Sequence, residues 1–188
     1  GSGNVALTTG ASLTHPTITD YTAYTPTTAP TYAEGRVFYD STAHTLNYYN
    51  DNSQMSVNIA QEQIVRVKNI SGSDIANGVA VYITGATGAT PTVDLAIAND
   101  EYKSYSLGIT TTTILNGGFG YVTVNGLVNG IDTDHFTDGA IIYLSDTTPG
   151  AFTRTLIFNS TGVPRCPSTS TKRFIITPKT GTRTCTSL

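Results

Sequence analysis

The sequence predicts an all-β protein: a compact antiparallel β-barrel or sandwich, preceded by a small N-terminal β-meander and an extended N-terminal arm. Three observations point there. Threonine fills 35 of 188 positions, and its branched Cβ packs well on a pleated sheet. The strong helix formers Glu, Lys, Leu and Arg are scarce, and charged residues make only 12% of the chain, against roughly 25% in a typical soluble domain. Short apolar runs are separated by Gly, Asn, Asp, Ser and Pro clusters about every 8–12 residues, the rhythm of a barrel or sandwich. The length suffices for one good core or two small ones.

The elements follow in order. Residues 1–31 are rich in Thr, Pro and Tyr; Pro16, Pro26 and Pro30 oppose a helix and favour extended backbone. They read as an attachment arm or linker whose tyrosines could anchor on a neighbouring subunit. Residues 32–59 read as the meander, with strands at 36–39, 45–49 and 55–59 joined by the turns Asp40–Ala43 and Asn50–Ser53. Period-two alternation puts Val37 and Tyr39 on one face and Phe38 on the other.

Residues 60–155 read as the β domain. Ile64–Asn69 is a strand with Arg66 and Lys68 on one face and Val65 and Val67 on the other, the second facing the core. Asp74 and Glu62 are expected to offset those bases or to meet a neighbouring subunit. Asn77-Gly78 is a strong turn signal. Val79–Ile83 is a strand, Gly85–Gly88 a turn, and Val93–Ala98 a strand or short helical segment. Further strands are expected at 107–111, 120–126 and 140–144, with turns at Asn116–Gly118, Phe136–Gly139 and Pro149-Gly150. Residues 156–188 read as a basic, mostly loop-like tail with one strand at 173–176, which could bring a last strand back to close the domain.

Formal charge is −3, unevenly spread: residues 154–188 hold six bases and no acid, and all 13 acids precede them. Such a tail can contact nucleic acid, but its bases are dispersed among Thr and Ser without interleaved aromatics, which favours the acidic remainder or a partner subunit. No nucleic-acid partner and no membrane insertion are expected; no apolar run approaches the roughly 18 residues a helix needs to span a bilayer. Cys166 and Cys185 could close a loop or stay free thiols. The first residues, Gly-Ser-Gly-Asn without Met, are compatible with processing, a fragment or an expression product.

Candidate chemistry is sparse. His15, His44 and His135 are too far apart to suggest a ligand pair. Asp132-Thr133-Asp134-His135, with Asp138 beyond, could offer oxygens to calcium, but it lacks the Glu anchor and spacing of a calcium loop; turn duty fits better. The glycine-rich stretches 85–91 and 116–120 lack the Lys-Ser/Thr ending of a phosphate loop. No serine sits in a nucleophile elbow, and Cys166 has no histidine nearby in the tail. Asp132 with Asp94 or Glu101 could form a carboxylate pair, without a positive signal for it. Tyr48, Tyr49, Tyr102 and Tyr105 lie in polar stretches and could stack on sugars or fill subunit interfaces. The residues therefore suggest no enzyme, no catalytic, cofactor-binding or metal site, and no cofactor.

Several ordered motifs carry a resemblance. Glu34, Gly35, Phe38, Tyr39 and Asp40 are followed by Gln61, Glu62, Arg66, Val67, Asn69, Gly72, Ile75, Gly78, Val81, Tyr82, Gly85, Gly88 and Pro91. Then come Gly120, Gly126, Gly130, Asp132, Thr133, Phe136, Gly139, Tyr143, Leu144, Pro149, Gly150 and Thr153. Over about residues 30–153 this series resembles a module of tailed-bacteriophage fibres and spikes. It departs at Ala60-Gln61, where that family more commonly has Gly-Gln, and after Thr155, where the tail turns basic and irregular. The resemblance implies a non-enzymatic virion structural subunit, a homotrimer on the phage tail or head surface, anchored to other virion proteins through its N-terminal arm and supporting the host-recognition apparatus. Two alternatives accompany it: a module that binds host-surface glycans, and a capsid decoration protein.

Overall fold

The computed structural model describes residues 21–128, 131–137, 139–155, 174–177 and 184–187. Among them are twelve strands and no helix, so the all-β expectation holds. The meander is β1 (Val37–Asp40), β2 (Thr45–Tyr48) and β3 (Val57–Asn58), antiparallel in that order. Asp40 ends β1 and makes the turn: its Oδ1 accepts the amides of Thr42 at 2.6 Å and Ala43 at 3.0 Å. Phe38 is buried and Val37 exposed, as alternation requires. Phe38 packs on Tyr49 with ring centroids 5.2 Å apart, and Tyr32 meets Tyr49 edge-on at 5.4 Å.

In the described part of the arm, residues 21–31, Thr27 and Pro30 bond to the meander. The Thr27 amide donates to Tyr39 O at 3.0 Å, the Ser41 amide donates to Thr27 O at 2.8 Å, and the Tyr49 hydroxyl donates to Pro30 O at 2.6 Å. These bonds tie Thr27 and Pro30 to the meander, while the arm tyrosines Tyr21 and Tyr24 stay exposed. Residues 1–20 lie outside the described residues.

The main domain is a closed barrel of β4 (Glu62–Asn69), β5 (Ala80–Thr87), β6 (Thr90–Leu95), β7 (Ser106–Thr110) and β8 (Phe119–Val128). The ring runs β8-β4-β6-β5-β7 and returns to β8, because β8 also pairs with β7 through Ile109↔Thr123 and Thr110↔Val122. Closure leaves these strands no free edge over the paired stretch. All pairs are antiparallel except β4–β6, where Lys68↔Thr92 and Asn69↔Val93 run parallel. Val67, Ile75, Val81, Val93, Ile114 and Val122 fill the interior.

Two interlocked arches explain that ring. Ile75-Ala76-Asn77-Gly78 links β4 to β5, and Ile114-Leu115-Asn116-Gly117 links β7 to β8. Ile75 and Ile114 exchange amide hydrogen bonds of 2.9 and 2.8 Å. Around that pair the bonding repeats. Gly117 N donates to Asn69 O and Asn69 N to Gly118 O; Gly78 N donates to Thr110 O and Thr110 N to Val79 O, all at 2.9–3.0 Å. Each arch thus sends its chain to pair with the strand that entered the other arch. The repeated Ile-x-Asn-Gly gives the core of the domain a local pseudo-two-fold.

Outside the barrel, β8 passes its far end to β12 (Thr184–Ser187), and the sheet continues through β11 (Phe174–Thr177), β9 (Ile141–Leu144) and β10 (Phe152–Thr153). Ile109, Val128 and Ile142, with Ile131, Phe136 and Phe152, form a second core there. The tail therefore supplies two strands where one was expected, and it completes the sheet beyond residue 155. Two smaller corrections concern the β5–β6 hairpin. Gly85, Ala86 and Thr87 belong to β5, and the turn is Gly88-Ala89, closed by Thr87↔Thr90. Val93 lies in β6, which ends at Leu95, and no helical segment follows.

Candidate functional site

The outward face of the β4–β8 pair carries a groove whose lining mixes charge and exposed apolar surface. Register builds it: Arg66 sits opposite Tyr121 and Lys68 opposite Phe119. The expected shared face of Arg66 and Lys68 is therefore present, with Val67 buried on the other side. Opposite residues of an antiparallel pair lie on the same face and touch. The Arg66 guanidinium carbon lies 4.1 Å from the centroid of the Phe119 ring, and the Lys68 ammonium 5.6 Å from it.

The meander turn Asn50–Gln54 forms the other wall. Asp51 accepts the Tyr121 hydroxyl at 2.6 Å through Oδ1 and faces Arg66 at 3.6 Å through Oδ2. Burial, then the hydrogen bond and charge of Asp51, push the Tyr121 phenol up to about 12, against the opposing pull of Arg66. Tyr121 thus remains a donor throughout the neutral range. Asn52 holds the turn with both ends of its amide: Oδ1 accepts Gln54 N at 2.9 Å, and Nδ2 donates to Thr112 Oγ1 at 3.0 Å. Thr111 Oγ1 reaches Met55 Sδ at 3.2 Å. These bonds latch the meander to the barrel and leave an open groove of about 480 Å³, lined also by Ser53, Gln54, Thr113, Leu115 and Gly118. Leu115 is 63% and Phe119 49% exposed.

The residues singled out from sequence fall elsewhere. Tyr49 is buried in the meander, whereas Tyr102 and Tyr105 are exposed on the turn before β7; none lines the groove. His44 occupies a left-handed turn position, φ 53°. Asp132 accepts the Asp134 amide at 2.9 Å, the expected turn duty, and His135 lies 3.9 Å from its other oxygen. Asp94 on β6 and Glu101 in the following turn stand apart from the groove lining. His15, Asp138, Cys166 and all the tail bases except Arg154 lie outside the described residues, and with them the disulfide and basic-tail expectations. Among the described residues no group of three or more His, Cys, Asp or Glu side chains gathers.

Neither Asp74 nor Glu62 pairs with the bases, one of the two roles expected of them; each accepts a backbone amide instead. Asp74 Oδ1 accepts the Asn116 amide at 2.8 Å and ties one arch to the other. Glu62 Oε1 accepts the Asn58 amide at 2.6 Å, and burial pushes its carboxyl up to about 7. The base partner is Asp51, which turn composition alone had assigned only to a bend. What sequence reasoning missed is Asp51, Phe119 and Tyr121 as neighbours. The signal available was Phe119-Gly120-Tyr121, two aromatics on one strand face beside a core strand, but their partner Asp51 is 70 residues away from Tyr121 in the chain. No protein-family model, no curated protein and no solved structure matches this chain.

Proposed function

We propose that this chain is a non-enzymatic structural module of a bacteriophage fibre or spike, acting on the virion surface as a homotrimer that supports the host-recognition apparatus, with the N-terminal arm as its link to other virion proteins. One observation carries the reading: the motif residues that resemble such modules are occupied in building turns and close approaches. Asn69 joins both arches through its side chain. A Cβ on Gly78 would lie 2.5 Å from Ile131 Cγ2, one on Gly120 2.5 Å from Ile114 Cγ1, and one on Gly126 2.1 Å from Gln61 O. Gly150 packs its backbone on Leu95 and Val79. Asp40 and Asp132 close their own turns. Exposed Ile70, Ile83, Tyr102 and Tyr105 offer apolar contact surface of the kind subunits cover.

Sedimentation equilibrium of the purified chain is expected to give a trimer mass that persists on dilution. A monomer at high concentration would overturn the assembly part of this proposal.

A further inference from the structure

We infer that copies of this chain join through two unlike faces of the barrel: the basic, apolar face of the β4–β8 pair on one copy seats the acidic, tyrosine-bearing turn before β7 on the next. This rests on the trimer proposed above and names the surfaces that close it.

Among the described residues of the barrel, the exposed large apolar side chains are Ile70, Ile83, Tyr102, Tyr105, Leu115 and Phe119. The fold sorts them into two groups. Leu115 and Phe119 line one groove, and Ile70 follows Asn69, whose backbone bonds to Gly117 and Gly118. Arg66 and Lys68 lie against the Phe119 ring, so this group carries two bases. In the other group, Ile83 follows Tyr82, Tyr105 precedes Ser106, and Tyr82 pairs with Ser106. Tyr102 stands in the same turn, 77% exposed, beside Asp100 and Glu101. Lys103 offsets one of those two acids, and the turn stays net acidic. Asp51 takes up Arg66, but neither Lys68 nor Glu101 has an ion-pair partner among the described residues.

Symmetry makes the two groups partners. At each contact in a ring of three, two different surfaces meet, so every copy offers both. The two faces lie apart on the barrel. One is on the β4–β8 pair beside the arches; the other is at the Ser106 end of β7, whose Thr110 end leads into an arch. Like against like sets base against base, or acid against acid, which is repulsive. Unlike against unlike brings Lys68 to Glu101 and covers both apolar groups. The apolar cover then supplies affinity, and the charges set orientation and register. Both faces are held in place. Asp100 Oδ1 accepts the amides of Tyr102 at 2.9 Å and Lys103 at 3.0 Å, and Ser104 Oγ donates to Glu101 O at 2.8 Å. Arg66, Lys68 and Phe119 project from paired barrel strands. Surfaces that are rigid before they meet lose less entropy on contact.

The test is a charge exchange in the full chain, read by sedimentation equilibrium. Lys68→Glu and Glu101→Lys are each expected to weaken trimer association about tenfold or more, with unchanged circular dichroism. The two together are expected to restore most of it. Arg154→Glu makes the same change of net charge as Lys68→Glu but lies outside both faces, and should leave the trimer as it is. The inference is overturned if the single variants associate as the parent does, or if the double variant is no stronger than the singles. It is also overturned if Arg154→Glu weakens the trimer equally, since net charge is then the cause. In each of those results the parent is still a trimer, so the proposed assembly stands while this contact fails; a monomeric parent removes both.

Discussion

Asn69 uses every hydrogen-bonding position of its amide while buried. Nδ2 donates to Ser73 O and Ile114 O, both at 2.8 Å, and Oδ1 accepts Ser71 N at 2.9 Å and Ser71 Oγ at 2.8 Å. Aspartate lacks the donors and an aliphatic residue lacks everything, so only Asn satisfies this site. Asn69→Ala leaves the Ser71 amide without its partner and takes one of two donors from each of Ser73 O and Ile114 O; it is expected to cost about 2 kcal/mol, read as a lower urea midpoint with an unchanged slope. Glu62 makes the opposite kind of contribution. Its folded carboxyl titrates near 7, raised by burial, with the Asn58 amide pulling the other way. The unfolded carboxyl ionises near its ordinary value of 4.5. Its stabilisation is therefore full below that value and lost as pH rises to about 7, amounting to about 3 kcal/mol at most. Glu62→Gln keeps an oxygen for Asn58 and removes the titration. Melting at pH 5 and pH 8 should show the parent falling and the variant level; parallel losses in both would sink this account. Ala60, two residues before it, holds φ at 67°, a conformation in which glycine is unstrained.

At the scale of elements, the arches decide which strands meet. Gly78 illustrates the constraint twice over: φ is +76°, and a Cβ would press on Ile131 from the second core. Gly78→Val is expected to cost about 2–4 kcal/mol and to impair folding or assembly; an unchanged melting curve and oligomer size would refute it. Asn-Gly was legible as a turn at both 77–78 and 116–117, because the left-handed backbone there favours those residues. The sequence did not disclose that the two turns form one device. Their pairing depends on Ile75 and Ile114 bonding across 39 positions of chain, which no local pattern encodes. The β5–β6 hairpin shows the reverse difficulty. Gly85 looks like a corner in a string of glycines, yet it continues the strand, with a register shift between Ile83 and Gly85. A glycine inside a strand can mark a bulge as readily as a turn.

For the whole molecule, the amino-acid sequence by itself determined the class and most of the rhythm. Threonine abundance, few helix formers and regular turns left β structure as the consistent solution, and strand positions followed from period two with small shifts at their ends. It also determined which face of β4 enters the core, since Val67 must be buried where Arg66 is not. Tertiary structure decided closure, the parallel β4–β6 pair, the two tail strands in the main sheet and the groove. Each of these joins residues far apart in sequence. Closing such long loops costs entropy that only the assembled core offsets, so no local preference announces the partner. Arg66 could be placed on a strand face from its neighbours alone; that Asp51 and Phe119 would share its surroundings was settled only when the meander folded back against the barrel.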